Sequence, residues 1–174
     1  KFKKNWGIFG GGPKKGRGRR GNKWVSPKGN IYLTISIKND FHLNDYFNFS
    51  MLTLVSLKKA FEKFNIKKIN FKWPNDIFYN NHKIGGILIE SSSFTNNVNF
   101  AIIGVGINFM NSPKESKYKT THVNKIIQLD NKYLFIEKFL KYFLIYWDNF
   151  NNEKNSIKKI FEDSIMFLNK KIKI

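Results

Sequence analysis

Hydrophobic and polar positions alternate along the first half of the chain with the periods of strands and helices. Residues 31–37, Ile-Tyr-Leu-Thr-Ile-Ser-Ile, alternate around β-branched and aromatic residues and predict a strand. Residues 45–64 carry apolar side chains at near-helical spacing, which predicts a helix with one buried face. Alternation returns in residues 67–73, a second predicted strand that ends before Pro74, because proline cannot donate to a sheet ladder.

The second half predicts further strands and two helices. Its predicted elements are a hairpin of residues 77–79 and 83–90 around Asn80-Asn81-His82, a turn at Asn96-Asn97, a strand at 99–107, helices at 133–149 and 154–167, and the start of a strand at 170–174. Residues 1–30 are rich in Gly, Lys and Arg and predict a long loop. Early strands with flanking helices and no internal repeat predict an α+β fold, a sheet packed with helices.

The composition agrees with one globular domain and excludes several kinds of site. The chain has 174 residues, of which 41% are hydrophobic and 17% aromatic, so it is too apolar for a disordered polycationic tail. It has no Cys, which excludes a disulfide scaffold, thiolate metal ligands and a cysteine nucleophile. His42, His82 and His122 lie far apart in the sequence, so no zinc site is predicted.

No segment predicts passage across a membrane. The longest uncharged apolar stretch, residues 100–110, is shorter than the roughly 20 residues needed to span a bilayer. The first residues are basic and run into glycines rather than into the apolar part of a signal peptide. The sequence therefore predicts a soluble, cytoplasmic protein with no membrane partner.

The net charge of +19 and the pI of about 10.0 allow two interpretations. Such a charge is typical of proteins that bind nucleic acids. The excess is mostly Lys, however, spread among abundant Asn, Ile, Phe and Tyr, and a genome with A/T-rich codons produces this composition with no polyanionic partner. Arginine is not spread in this way, because it occurs only at positions 17, 19 and 20.

The arginines alternate with glycines in residues 16–21, Gly-Arg-Gly-Arg-Arg-Gly. Glycine lets the backbone approach a ligand and offer its N–H groups to phosphate oxygens. Arginine adds planar, permanently charged groups that suit phosphate or carboxylate. The segment therefore predicts a loop that wraps an anion, with a flexible basic loop and an RNA-binding Arg/Gly segment as the alternatives.

Three further segments carry candidate chemistry. In residues 71–76, Phe-Lys-Trp-Pro-Asn-Asp, Lys72 lies between aromatics near a strand end, where it faces either an anionic ligand or simply solvent. Glycines interrupt the apolar strands of residues 83–90 and 104–108, at Gly85-Gly86 and at Gly104 and Gly106. Such glycines mark bulges or the close approach of another group, and tight packing alone explains them equally well.

In this order and spacing, the four segments resemble the catalytic domain of biotin protein ligases, the biotin–[acetyl-CoA-carboxylase] ligases of the biotin/lipoate ligase family. The resemblance covers about residues 16–110, with a weaker similarity in helical pattern beyond. It implies a mixed β-sheet packed with helices, like that of class II aminoacyl-tRNA synthetases. It also implies a two-step reaction: biotin and ATP give biotinyl-5′-AMP, and biotin then passes to a lysine of a biotin carboxyl carrier protein.

The resemblance also implies roles for individual residues. It implies that Arg17, Gly18 and Arg19 contact biotin and fold over the adenylate, and that Lys72 lies against the biotin carboxylate and the reacting phosphate. Lys72 and Arg19 are thus the implied catalytic residues, and Trp24 is expected beside the adenylate. Mg²⁺ is expected to bridge the ATP phosphates, with no protein ligand assigned.

Asn75 and Asp76 are expected to shape the turn that aims Lys72 rather than to touch the ligand. The expected boundaries are a catalytic domain over residues 1–169, without the family's usual N-terminal segment, and the start of a small β-domain at 170–174. The implied partner is the carrier subunit of acetyl-CoA carboxylase, and homodimers are common in the family. No winged-helix domain is visible, so DNA binding is not expected.

Three alternative functions stay open at this point. The first alternative to a biotin ligase is a shortened family member with weak or no ligase activity, and the second is a lipoate ligase. The third, outside the enzymes, is a basic module that binds nucleic acid.

Overall fold

A six-stranded sheet with helices on one face forms the centre of the fold. The computed structural model describes residues 6–11, 16–41, 45–93, 98–114 and 116–167. The strands are β1 (Trp6–Gly10), β2 (Gly16–Arg17), β3 (Lys23–Trp24), β4 (Ile31–Phe41), β5 (Ile69–Lys72), β6 (Asp76–Tyr79), β7 (His82–Ser93) and β8 (Val98–Ile107). The helices are α1 (Asp45–Lys63), α2 (Val123–Ile126), α3 (Lys132–Asp148) and α4 (Phe150–Ser164), with a 3₁₀ turn at Arg19–Gly21.

The six strands follow the order β1-β4-β8-β7-β6-β5, and each neighbouring pair is antiparallel. β2 and β3 form a separate antiparallel ribbon. Among the described residues, parallel pairing is confined to isolated bridges from Phe71 to Ile165 and from Lys83 to Thr120. Asn80 and Asn81 turn the chain between β6 and β7 with φ values of 45° and 64°, which asparagine tolerates and two-residue hairpins favour.

The helices cover one face of the sheet and bury its alternate residues. The core residues of β4 and β8 are Ile31, Leu33, Ile35, Ile37, Ala101, Ile103, Val105 and Ile107. α1 lies at the centre of this core, and its residues 51–57 are all buried. Phe61 of α1 packs edge-on against Phe135 of α3, with ring centroids 4.7 Å apart. The intervening strand residues lie on the opposite face, away from these helices.

The α+β fold class is confirmed, and most predicted elements lie close to their expected positions. The helices predicted at 45–64, 133–149 and 154–167 correspond to α1, α3 and α4. The predictions at Asn96-Asn97 and 170–174 lie outside the described residues. Within the part of the chain that the structure describes, none of the helices combines the length and apolarity needed to cross a membrane.

The prediction of a long loop over residues 1–30 is wrong, because part of this segment forms strands. β1 pairs with β4 from Trp6 opposite Ile37 to Gly10 opposite Leu33. Ile8 of β1 packs against the core, whereas Phe9 is 64% exposed. Glycines at positions 7 and 10 interrupt the apolar alternation of this edge strand. The hydrophobic pattern therefore does not reveal it.

Asn30 joins the start of β4 to the segment that follows β8. Its Oδ1 accepts hydrogen bonds from the backbone N–H groups of Phe109, Met110 and Asn111 at 2.9–3.0 Å. Its Nδ2 donates to the carbonyl of Asn111 at 2.9 Å, and the side chain is buried. One amide thus satisfies four backbone groups that no strand or helix satisfies.

We expect Asn30→Ala to lower the free energy of unfolding by about 3 kcal/mol, because it leaves several buried or partly buried backbone groups without a partner. Urea unfolding followed by circular dichroism measures the change. Asn111→Ala is the matched control, since the Asn111 side chain is exposed and donates only to the carbonyl of Lys28. Equal destabilisation by the two substitutions contradicts the role assigned to Asn30.

Candidate active site

The Arg/Gly segment, residues 16–21, lies over the face of the sheet that the helices do not cover. It lines an open cleft of about 1100 Å³. The floor of this cleft consists of strand residues that point away from the helices. These residues are Tyr32 and Thr34 of β4, Lys72 of β5, Asp76 of β6, Gly86, Leu88 and Glu90 of β7, and Ile102, Gly104 and Gly106 of β8. Because neighbouring side chains of a strand face opposite ways, the same strands supply both the core and this floor.

Local backbone geometry explains the glycines of the Arg/Gly segment. A Cβ atom at Gly16 would lie 2.5 Å from the carbonyl oxygen of Trp24, so only glycine fits in the β2–β3 ribbon at this position. A Cβ atom at Gly18 would lie 3.2 Å from the carbonyl oxygen of Asn22, which accepts a 2.7 Å hydrogen bond from the Gly18 N–H. Arg20 and Gly21 have φ values of 54° and 74°, a left-handed conformation that glycine adopts freely.

The arginines of this segment line the cleft together with Gly18. Arg17 Nη2 lies 3.4 Å from Glu90 Oε2, and its side chain is 76% exposed. Such an exposed ion pair contributes at most about 1 kcal/mol, so an incoming anion can replace the carboxylate. Arg19 and Arg20 are also exposed. The site therefore presents accessible, permanently charged groups above the sheet.

Trp24 packs on the glycines of the floor. A Cβ atom at Gly106 would lie 2.9 Å from the indole ring, and one at Gly86 would lie 3.3 Å from it. Because these two residues have no side chain, the indole of Trp24 can pack directly on the backbone of β7 and β8. The indole Nε1 is buried and has no hydrogen-bond partner among the described residues. Position 85 requires glycine for a different reason, because a Cβ atom there would lie 2.6 Å from the side chain of Ile107.

Lys72 lies in the same cleft as the Arg/Gly segment, as the resemblance implies. It is the last residue of β5 and is partly buried. Its Nζ donates a hydrogen bond to the hydroxyl of Tyr118 at 3.0 Å and lies 4.3 Å from the centre of that ring. These contacts set one position of the ammonium group inside the cleft.

Asn75 and Asp76 stabilise the turn that follows Lys72. The Asn75 N–H donates to the carbonyl of Lys72 at 3.3 Å, and the Asn75 side chain donates to the carbonyl of Ile87 at 3.1 Å. Asp76 Oδ1 forms an ion pair with Lys83 Nζ at 2.7 Å, in which both side chains are largely buried. These contacts fit the predicted turn-shaping role, and both residues also line the cleft.

Sequence reasoning gave no role to two residues at this end of the cleft. Lys83 Nζ lies 5.2 Å from the centre of the Trp24 ring and 5.8 Å from that of Tyr118. Lys83 is the first residue of the glycine-containing segment 83–90. Its pairing with Asp76, however, depends on the register of the β6–β7 hairpin. Tyr118 lies in an irregular segment with no periodic pattern, so the sequence offers no signal for it.

Tyr32 connects the cleft floor to the loop between β3 and β4. Its hydroxyl donates a hydrogen bond to the carbonyl of Pro27 at 3.0 Å. Burial raises the pKa of Tyr32 above its usual value, although hydrogen bonds with Asn30 and Ser26 oppose this shift. The hydroxyl therefore stays protonated near neutral pH and keeps its ability to donate.

The cleft does not resemble a preformed metal site. The described residues contain no group of three or more His, Asp or Glu side chains that could hold a metal ion. The two carboxylates on the floor, Asp76 and Glu90, are each paired with a cation. These residues therefore do not fit a metal held by the protein alone.

The chain is similar in sequence to known ligases. The model of the biotin/lipoate A/B protein ligase family matches residues 2–108. The bifunctional ligase/repressor BirA of Escherichia coli is 35% identical over 94 residues, which cover 53% of this chain and 29% of BirA. A biotin–[acetyl-CoA-carboxylase] ligase of Paracoccus denitrificans is 31% identical over 103 residues, 56% of this chain and 42% of the relative. The match thus spans less than half of either relative.

Solved structures show the same fold. A biotin protein ligase from Leishmania major in complex with biotin superposes with a TM-score of 0.77 at 22% identity, over 97% of this chain and 76% of that one. A biotin protein ligase from Aquifex aeolicus in complex with biotin and ATP gives a TM-score of 0.72 at 27% identity, over 87% and 65% of the two chains. With a family model that matches more than half of its residues, this chain belongs to the biotin/lipoate A/B protein ligase family.

Proposed function

We propose that the protein is an ATP-dependent biotin ligase that forms biotinyl-5′-AMP and transfers biotin to a lysine of a biotin carboxyl carrier protein. The observation that carries this proposal is that Lys72 and the Arg/Gly segment line one cleft. The names of similar proteins support biotin and ATP as the substrates. The Paracoccus relative is named a biotin–[acetyl-CoA-carboxylase] ligase, and the Aquifex structure is a complex with biotin and ATP.

In the first step, a carboxylate oxygen of biotin attacks the α-phosphorus of ATP, and pyrophosphate leaves with the electron pair of the broken P–O bond. Both reactants are anions and repel each other. Lys72, Arg17 and Arg19 offset this repulsion and the charge that develops on the phosphate, because cations close to the reacting groups stabilise negative charge. Holding the two groups at reacting distance supplies much of the remaining acceleration.

In the second step, the ε-amine of the carrier lysine attacks the carbonyl carbon of biotinyl-5′-AMP. AMP leaves, the amine loses a proton to solvent, and an amide bond remains.

Trp24 packs on Gly86 and Gly106 of the cleft floor, where it can flank the adenylate. Magnesium, if bound with ATP, would offset part of the phosphate charge, as is usual in nucleotide sites. We place the reaction in the cytoplasm.

We expect the protein to release pyrophosphate from ATP when biotin is added, and to form biotinyl-5′-AMP in equal amount. Lipoate is the matched control, because the family also includes lipoate ligases. Mass spectrometry of the acyl-adenylate distinguishes the two acids. Adenylation of lipoate alone assigns the other substrate, and no adenylate with either acid contradicts the proposed function.

We expect Lys72→Ala to slow biotinyl-5′-AMP formation by about 30- to 5000-fold, which corresponds to about 2–5 kcal/mol for loss of a desolvated cation beside the ligand. The rate is measured in a single turnover with enzyme in excess. Lys141→Ala provides the control, since Lys141 is exposed on α3. Near-normal synthesis by the Lys72 variant eliminates the assignment.

We expect Arg19→Ala to release biotinyl-5′-AMP faster, because Arg19 lies in the segment that covers the cleft. Retention of the labelled adenylate on the protein is followed by rapid gel filtration. Arg19→Lys keeps the charge but loses the planar fork, so it separates charge from geometry. Unchanged retention in the alanine variant counts against Arg19 as part of a cover over the adenylate.

A further inference from the structure

Tyr118 makes two contacts with Lys72 at once. Its hydroxyl accepts a hydrogen bond from Lys72 Nζ at 3.0 Å. The centre of its ring lies 4.3 Å from the same nitrogen, within the range of a cation–π interaction. Both the polar and the aromatic part of this side chain therefore stabilise one position of the ammonium group.

The backbone that follows Tyr118 is attached to β7. The N–H of Lys83 donates to the carbonyl of Lys119 at 2.8 Å, and the N–H of Thr121 donates to the carbonyl of Lys83 at 2.9 Å. The Thr120 hydroxyl also donates to the carbonyl of Pro113 at 2.6 Å, which ties this segment to the chain that precedes Tyr118. Tyr118 thus stands on a segment whose place is set by the sheet.

The ring of Tyr118 is supported as well. Phe78 of β6, which is only 4% exposed, packs edge-on against it with ring centroids 5.7 Å apart. A side chain with a fixed backbone and a packed ring loses little further freedom when it binds an ammonium group. Tyr118 therefore offers a preorganised acceptor to Lys72.

An ammonium group has three donors. The Tyr118 hydroxyl takes one of them, and two remain for an anion in the cleft that Lys72 and Tyr118 both line. Without this acceptor, a lysine side chain samples several rotamers, and only some of them present the charge to the ligand.

We propose that Tyr118 is a positioning residue that holds the Lys72 ammonium group in place for the first chemical step. This inference rests on the proposed function. It assigns to Tyr118 a role that acts through Lys72 and not through direct contact with the ligand.

The test is a double-mutant cycle on Tyr118 and Lys72, measured as the single-turnover rate of biotinyl-5′-AMP formation. Tyr118→Phe keeps the ring and its packing on Phe78 and removes only the acceptor. We expect it to slow the reaction about tenfold in the wild-type background, the effect of losing a hydrogen bond to a charged group. In the Lys72→Ala background we expect the same substitution to change the rate less than twofold, because coupled residues are not additive.

Tyr133→Phe is the matched control, since Tyr133 is 69% exposed on α3, and its rate should equal that of the wild type. An equal loss in both Lys72 backgrounds, or no loss in the wild-type background, overturns the proposal. If the wild-type protein forms no biotinyl-5′-AMP, the proposed function fails instead, so the two failures are distinguishable.

A second readout needs no activity. In protein whose lysines carry ¹³C-methyl groups, the ring current of Tyr118 should shift the Lys72 resonance. We expect Tyr118→Phe to keep this shift and Tyr118→Leu to abolish it. A Lys72 resonance that is the same in the wild type and in Tyr118→Leu overturns the contact on which the proposal depends.

Discussion

The alternation of side chains in an antiparallel sheet is the constraint on which the whole structure depends. β4, β7 and β8 each bury one set of side chains against the helices and present the other set to the cleft. A shift of register by one residue would exchange the two sets and place apolar side chains such as Ile103 on the floor. The core and the candidate site are therefore two sides of the same pairing, and the stability of one fixes the geometry of the other.

Carboxylates hold two of the cations at the cleft in position. Asp76 and Glu90 belong to a chain with only 12 acidic residues against 31 basic ones. Lys83 is held by Asp76 in a largely buried pair, whereas the pair of Arg17 and Glu90 is exposed. The buried pair keeps the Lys83 ammonium group in one position. The exposed pair of Arg17 and Glu90 is weak enough to open for a ligand.

Sequence patterns predicted the elements with uninterrupted periodicity and the segments that share the cleft. β4 and α1 follow from regular apolar spacing, and the common location of Lys72 and the Arg/Gly segment follows from the family resemblance. β1 was missed because glycines hide its alternation. Tyr118 was missed for another reason, because hydrogen bonds to Lys83, distant along the chain, set the place of its segment. Contacts of this kind leave no periodic trace in a sequence.

The close packing of Trp24 on Gly86 and Gly106 links three positions that lie far apart along the chain. The three atoms nearest to a Cβ at Gly106 all belong to the indole, so a larger residue there requires a smaller one at position 24. A Cβ at Gly86 would also lie 3.3 Å from the Asn75 carbonyl oxygen and from Asp76 Oδ1, so a smaller residue at position 24 does not make room there. Positions 24 and 106 should therefore change together among homologous proteins, even though they belong to different strands.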